Sequence, residues 1–110
     1  MSHILKHVCN VDELVDGQAM GFGSDDGPIG VFRVGDAFWA IEDTCTHGRA
    51  SMSEGELDGT WVVCPFHGGC VDVTTGEPTA GPITVPAKTY RTKVIDGGVY
   101  VEIPSSPRTA

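Results

Sequence analysis

Two short segments of the 110-residue chain carry its chemistry. Cys45 and His47 stand one residue apart in CTHGRAS (45–51), and Cys64 and His67 open CPFHGGC (64–70). The overall pattern is C-x-H, sixteen intervening residues, then C-x-x-H. Two thiolates and two imidazoles make a complete set of four metal ligands. A Cys-x-His pair is too closely spaced for half of a zinc finger, whose paired ligands usually lie two to four residues apart. In extended backbone, residues one apart share a side, so Cys45 and His47 face one centre while Thr46 turns away. Pro65 bends the second segment so that Cys64 and His67 face the same way. Gly48 follows the first histidine, and Gly68 and Gly69 follow the second. These glycines permit sharp turns and leave backbone N–H groups available to sulfur. Such loops suit a centre bearing negatively charged sulfur, with a structural zinc site as the plainer alternative.

The elements that must position these loops read as short strands. IGVFRV (29–34), AFWAIE (37–42), TWVVC (60–64), KTYRTKVI (88–95) and VYVEI (99–103) are apolar or alternating runs separated by turn residues. ILKHVC makes an apparent first strand. Hairpin turns are expected at GD between Val34 and Ala37, at DG between Leu57 and Thr60, and at DGG (96–98), because Gly and Asp tolerate the positive φ of tight turns. NVDELVDG carries the one helical signal, a single turn capped by Asn10 or Asp12 and ended by Gly17. The tail PSSPRTA (104–110) has little to bury and reads as frayed. No internal repeat or linker interrupts what reads as a single domain.

Composition narrows the function. Fifteen acidic against seven basic residues give a net charge of −8, which argues against nucleic acid or an anionic membrane as partner and favours a basic protein. The chain is too short for an oxygenase or dehydrogenase with its own substrate pocket. No apolar run approaches membrane-spanning length, and no leader is evident, so the cytosol is the expected compartment. There, four cysteines are metal ligands or thiols rather than a disulfide frame. With the cysteines and histidines committed, no Ser/Cys–His–acid set remains for nucleophilic catalysis.

CTHG and CPFHGG, at this spacing and in a β context, resemble the Rieske [2Fe–2S] proteins. From DELVDG through GEPTAGP to VIDGGVYVEI, the chain is similar to the small ferredoxins of bacterial aromatic-ring-hydroxylating dioxygenase systems. The resemblance implies an all-β Rieske fold, an antiparallel β-sandwich base with a cluster-binding subdomain inserted at about 44–71. It implies one [2Fe–2S] cluster per chain, with Cys45 and Cys64 on one iron and His47 and His67 on the other. The implied function is one-electron transfer from an NAD(P)H-dependent flavoprotein ferredoxin reductase to a terminal oxygenase. On that reading the chain is not itself an enzyme, and a monomer is the default expectation for a diffusing acidic carrier. The small Rieske-like subunit of an assimilatory nitrite reductase has similar length and fold. Its cluster ligands are often absent, so the intact set here counts against it.

Replacing two thiolates by neutral imidazoles removes two negative charges from the centre and eases its reduction, with the electron expected on the histidine-bound iron. The high-potential members of the family carry an additional loop cysteine pair and hydroxyl donors to the cluster sulfurs. Here Phe66, Gly69 and Val71 occupy the corresponding positions and the first loop has no second cysteine, which places the expected potential near the low end of roughly −150 to +300 mV. Among the other residues, Cys70 is expected as a small buried residue under the cluster loop and Cys9 as core. His3 and His7 read as surface residues. Trp39 and Trp61 are expected to fill the core. GEPTAGP (76–82) reads as a surface turn and, by resemblance, as a proline loop covering the cluster. Arg49 either docks a partner carboxylate or solvates its loop. Asp25, Asp26, Glu54, Glu56 and Asp58 form either a docking face or a solvated surface.

Overall fold

The computed structural model describes residues 2–24, 26–44, 51–65, 69–81 and 85–105. They form three antiparallel sheets. The first contains β1 (Ser2–Asn10), β11 (Gly98–Ser105) and β10 (Thr92–Ile95), in the order β1-β11-β10. The second contains β2 (Ala19–Phe22), β3 (Ile29–Val34), β4 (Ala37–Glu42) and β9 (Thr89–Tyr90), in that order. The third contains β5 (Glu56–Asp58), β6 (Trp61–Val63), β7 (Cys70–Asp72) and β8 (Pro78–Ala80), again in sequence order.

The middle sheet is covered on both faces, and its sequence shows why. Side chains alternate across a strand, yet IGVFRV is apolar at nearly every position, the signature of a strand buried on both sides. Ile29 and Val31 of β3, with Phe38 and Ala40 of β4, join Cys9, Val99, Val101 and Ile103 in a core shared with the first sheet. Phe32 and Ile41 turn the other way, into a second core with Met52, Val62, Cys64, Val71, Val73 and Ala87. The all-β expectation holds, and IGVFRV and AFWAIE occupy the strands expected of them.

Several local expectations are corrected. KTYRTKVI is two strands in two sheets: Tyr90 pairs with Ala40, and Thr92 pairs with Val101. The chain crosses between sheets at Arg91, whose carbonyl accepts from Glu102 N at 2.8 Å. The turn placed on DG at 58–59 falls one residue later, because Asp58 pairs with Trp61 around Gly59 and Thr60, with Gly59 at φ +62°. The other two hairpins close as expected, Val34 on Ala37 and Ile95 on Gly98. The helical signal is a 3₁₀ turn over Val11–Glu13, with Glu13 accepting from Asn10 N at 2.8 Å. β11 continues through Pro104 and Ser105, which pair with His3 and Ser2, so the tail is not frayed from Pro104; residues 106–110 lie outside the described residues.

Trp39 packs against the second core, but Trp61 is 46% exposed. In β6 the inward position belongs to Val62, in register with Leu57 and Val71, and alternation sends Trp61 to the opposite face. Short β2, β5, β7 and β8 have no strong apolar run of their own and carry no strand expectation.

Candidate metal centre

Of the four candidate ligands, Cys64 falls within the described residues; Cys45, His47 and His67 lie outside them. What the structure describes is the frame that holds both ligand segments. Cys64 follows β6 directly and is 2% exposed, packed into the second core. Its amide donates to Gly69 O at 2.7 Å, and Val63 pairs with Cys70. Segment 65–68 is therefore closed at its base by a sheet.

The first segment is closed in the same way. Thr44 and Ser51 form an antiparallel bridge, and Met52 N donates to Asp43 O at 2.7 Å. Beyond it, a 3₁₀ turn over Met52–Glu54 leads into Gly55, whose amide donates to Met52 O at 3.0 Å. A Cβ on Gly55 would overlap the carbonyl oxygen of Val63 and stand 3.0 Å from its carbon. The missing side chain thus lets the return limb of the first segment lie against the strand that delivers Cys64.

A second close approach fixes the far side of the third sheet. Asp72 organises the turn after β7: its Oδ1 accepts from Thr74 N at 2.9 Å and from the Thr74 hydroxyl at 2.6 Å. The turn ends at Gly76 (φ +79°), where a Cβ would overlap Ala87 O, and Ala87 N donates back to Gly76 O at 2.8 Å. Within GEPTAGP, Pro78–Ala80 is not merely a surface turn but strand β8, paired with β7; Pro82 lies outside the described residues.

Asp43 is the one buried charged side chain among the described residues, 5% exposed. Its Oδ1 accepts from Ser53 N at 2.7 Å and its Oδ2 from Ser53 Oγ at 2.9 Å. Sequence reasoning passed over Asp43, Ser53 and Gly55, and read Gly76 only as part of the GEPTAGP turn. For Asp43 a signal was present: Trp39, Ile41 and Asp43 are alternate positions on one face, so a carboxylate falls where the apolar row should continue.

The remaining candidates separate from the centre. Cys9 is core, as expected. Cys70 is only half-buried, on β7, rather than enclosed. His7 is exposed, with Nε2 3.0 Å from Asn10 Oδ1 and its ring edge-on to Tyr100. Asp26 is not an open docking carboxylate: it accepts from Lys88 Nζ at 2.5 Å and from the Tyr90 hydroxyl at 2.6 Å. Lys88 and Tyr90 hold its carboxyl below the usual carboxylate range, while burial and then Asp26 push the Tyr90 phenol up. Glu54, Glu56 and Asp58 are exposed. The side chain of His3, and Asp25 and Arg49 altogether, lie outside the described residues.

Among the described residues no group of three or more His, Cys, Asp or Glu is placed to hold a metal. The donor set that remains is two thiols and two imidazoles on two segments, the first closed by the isolated Thr44–Ser51 bridge and the second by the β6–β7 pairing of the third sheet. Cys64 supplies a buried sulfur beside a glycine-marked turn, which fits a sulfide-bridged iron centre. These features define an all-β protein in which strand pairing closes the bases of both candidate ligand segments.

Residues 5–91 match the Rieske [2Fe-2S] domain. The chain belongs to that family, and its cofactor is the Rieske-type [2Fe–2S] cluster. It is 57% identical over 74 residues to ferredoxin CarAc of Metapseudomonas resinovorans, covering 67% of this chain and 69% of the relative. It is 39% identical over 93 residues to the anthranilate 1,2-dioxygenase ferredoxin subunit of Burkholderia cepacia, covering 84% of this chain and 86% of the relative. Among solved structures, a chain in the complex of reduced oxygenase and oxidized ferredoxin in carbazole 1,9a-dioxygenase matches with a TM-score of 0.86 at 46% identity, covering 89% of this chain and 92% of that one.

Proposed function

We propose that the chain is the ferredoxin component of an aromatic-ring dioxygenase system, with its cluster held by Cys45, His47, Cys64 and His67. It receives electrons from an NAD(P)H-dependent flavoprotein ferredoxin reductase and delivers them to a terminal oxygenase. The bound cluster supplies one-electron chemistry; the chain's own residues hold it and shape its surroundings. The observation that carries this reading is the pairing of a C-x-H and a C-x-x-H segment, each closed at its base by the contacts around Thr44–Ser51 and Cys64–Gly69. The identity to ferredoxin subunits over most of the chain supports a carrier role rather than a catalytic one.

Two neutral imidazoles in place of thiolates ease reduction, while the absence of serine and tyrosine hydroxyls at Gly69 and Val71 withholds hydrogen bonds that would stabilise the reduced centre. The expected midpoint is therefore near the low end of the Rieske range and below about +100 mV. The acidic chain is proposed to act in the cytosol and to diffuse as a monomer.

Iron and acid-labile sulfide analysis with EPR, before and after dithionite, tests the reading. Two irons and two sulfides per chain with a rhombic signal on reduction are expected, and Cys64→Ser should abolish both. One zinc with no sulfide would overturn it. Reconstitution with reductase, oxygenase and NADH then checks the partners: product formation should depend on the loaded carrier.

A further inference from the structure

Asp43 sits in a recess made for it. Gly21 of β2 and Gly30 of β3 are register partners, and both face the side of the middle sheet that carries Phe32 and Ile41. A Cβ at Gly21 would stand 2.9 Å from Asp43 Oδ2 and 2.9 Å from Ser53 Oγ; one at Gly30 would stand 2.8 Å from Asp43 Oδ1. Two facing glycines in adjacent strands cost sheet stability, since each contributes no side chain and orders more backbone freedom. Here they leave room for a carboxylate on the face where an apolar side chain would otherwise continue the row.

Asp43 is tied into the frame through both its backbone and its carboxylate. Asp43 N donates to Pro28 O at 2.9 Å, Asp43 O accepts from Met52 N at 2.7 Å, and both carboxylate oxygens accept from Ser53. Asp43 lies just before the segment 45–50 and Ser53 just after it. The pair therefore spans the two ends of the segment that carries Cys45 and His47. Asp43 is two residues from Cys45, so the two Cα atoms are within about 7 Å. Neither ion pair among the described residues involves Asp43. A buried carboxylate that needs a glycine recess costs more than an apolar residue would, so its retention points to a task at the adjoining loop.

We propose that Asp43 is a positioning residue for the cluster: clamped to Ser53 in the Gly21/Gly30 recess, it fixes both ends of the Cys45–His47 segment and sets a negative charge behind it. This rests on the reading of Cys45 and His47 as ligands. Because reduction adds a negative charge, a nearby anion disfavours it, and removing that anion should raise the midpoint.

The test compares loaded wild type with Asp43→Asn, Ser53→Ala, Gly21→Ala and, as a control in the first core, Val101→Ala. Gly21→Ala probes the clamp directly, because the three atoms nearest its Cβ belong to Asp43 and Ser53. The readouts are iron and sulfide content, thermal midpoint, redox midpoint and the EPR g-values of the reduced protein. Asp43→Asn should retain two irons and two sulfides with a redox midpoint shifted upward. Ser53→Ala and Gly21→Ala should retain the charge and shift the g-values. Val101→Ala should lower the melting temperature and leave both redox midpoint and g-values at wild-type values. The proposal is overturned if Asp43→Asn keeps the wild-type midpoint and g-values, or if the clamp variants lose only thermal stability as Val101→Ala does. Should Asp43→Asn fail to fold, wild-type g-values in both Ser53→Ala and Gly21→Ala overturn it equally. Failure of the ligand reading looks different: Cys45→Ser would keep its cluster whatever Asp43→Asn does.

Discussion

Replacing Gly55 by alanine isolates the close approach between the limbs that flank the two candidate ligand segments. Gly55 has φ −82° and ψ 172°, extended backbone open to any residue, so the cost of a side chain there is purely one of space. The new methyl would overlap Val63 O, and ordinary van der Waals contact requires about 3.4 Å, so one backbone must retreat by more than about 1 Å. Neither limb is free to do so. Glu56, the next residue, is already paired with Val63, and the Val63 neighbour Cys64 is packed in the second core. Overpacking against fixed backbone costs roughly 2–3 kcal/mol. For a chain of this size that is roughly 8–15 °C in Tm. Two other glycines serve as comparisons. A Cβ at Gly59 meets nothing, but its φ of +62° makes Gly59→Ala cost about 1 kcal/mol through backbone strain. A Cβ at Gly23 also meets nothing, and Gly23 has no positive φ, so Gly23→Ala should be neutral or stabilising by up to about 1 kcal/mol. Thermal melts of the three variants should rank Gly55→Ala far below Gly59→Ala, and that below Gly23→Ala, with iron lost first from Gly55→Ala. A melt of Gly55→Ala within about 2 °C of Gly23→Ala would refute the claim that the two limbs are held against each other.

Three further outcomes follow from the packing. Asp26 has its pKa lowered in the fold by Lys88 and then Tyr90, so its contribution is complete above the ordinary carboxylate pKa of about 4 and is lost as pH falls through the folded value; the stability gap between wild type and Asp26→Asn, measured by urea unfolding, should be open at pH 7 and close on acidification. Arg33 donates to the carbonyls of Val11 at 2.7 Å, Leu14 at 2.6 Å and Gly35 at 2.8 Å, a fork that lysine does not reproduce, so Arg33→Lys should cost about 2 kcal/mol in urea unfolding while leaving the redox midpoint unchanged. Val71→Ala and Val101→Ala each remove two buried methyl groups at about 2 kcal/mol, but Val71 shares a core with Cys64 and Val101 does not, so only Val71→Ala should also alter the reduced EPR signal.

The all-β class was legible because its signal is local, alternation bounded by glycines; the spacing of the four donors is equally local, but Cys45, His47 and His67 lie outside the described residues. IGVFRV and AFWAIE read correctly since their apolar runs end at residues that cannot continue a strand. The third sheet was mostly illegible. Its strands are three residues each, and Glu56–Asp58 or Pro78–Ala80 has no apolar period to detect. Trp61 misled because a large aromatic in a strand is usually inward, whereas register with Asp58 and Asp72 assigns the inward place to Val62. KTYRTKVI misled because nothing in its composition marks Arg91 as the point where the chain changes sheets. The glycine contacts at Gly55 and Gly76 are tertiary: a glycine needed for space looks, in sequence, like one needed for a turn.

The doubly covered middle sheet explains how so small a chain can build a packed frame around the flanks of both candidate segments. A two-layer sandwich of this length would leave the third sheet hanging from its connecting segments. Here Phe32 and Ile41 on the far face of β3 and β4 give that sheet a core of its own, containing Met52 from the limb that leaves the first segment and Cys64 at the start of the second. Close packing around these two residues resists displacement of either backbone. Gly55 then removes the last separation between the limbs, and Asp43, seated between Gly21 and Gly30, ties the first of them back to the middle sheet. The same β3 strand thus stabilises the base through Val31 and the frame around the two candidate segments through Phe32, so both cores rest on one deeply buried strand.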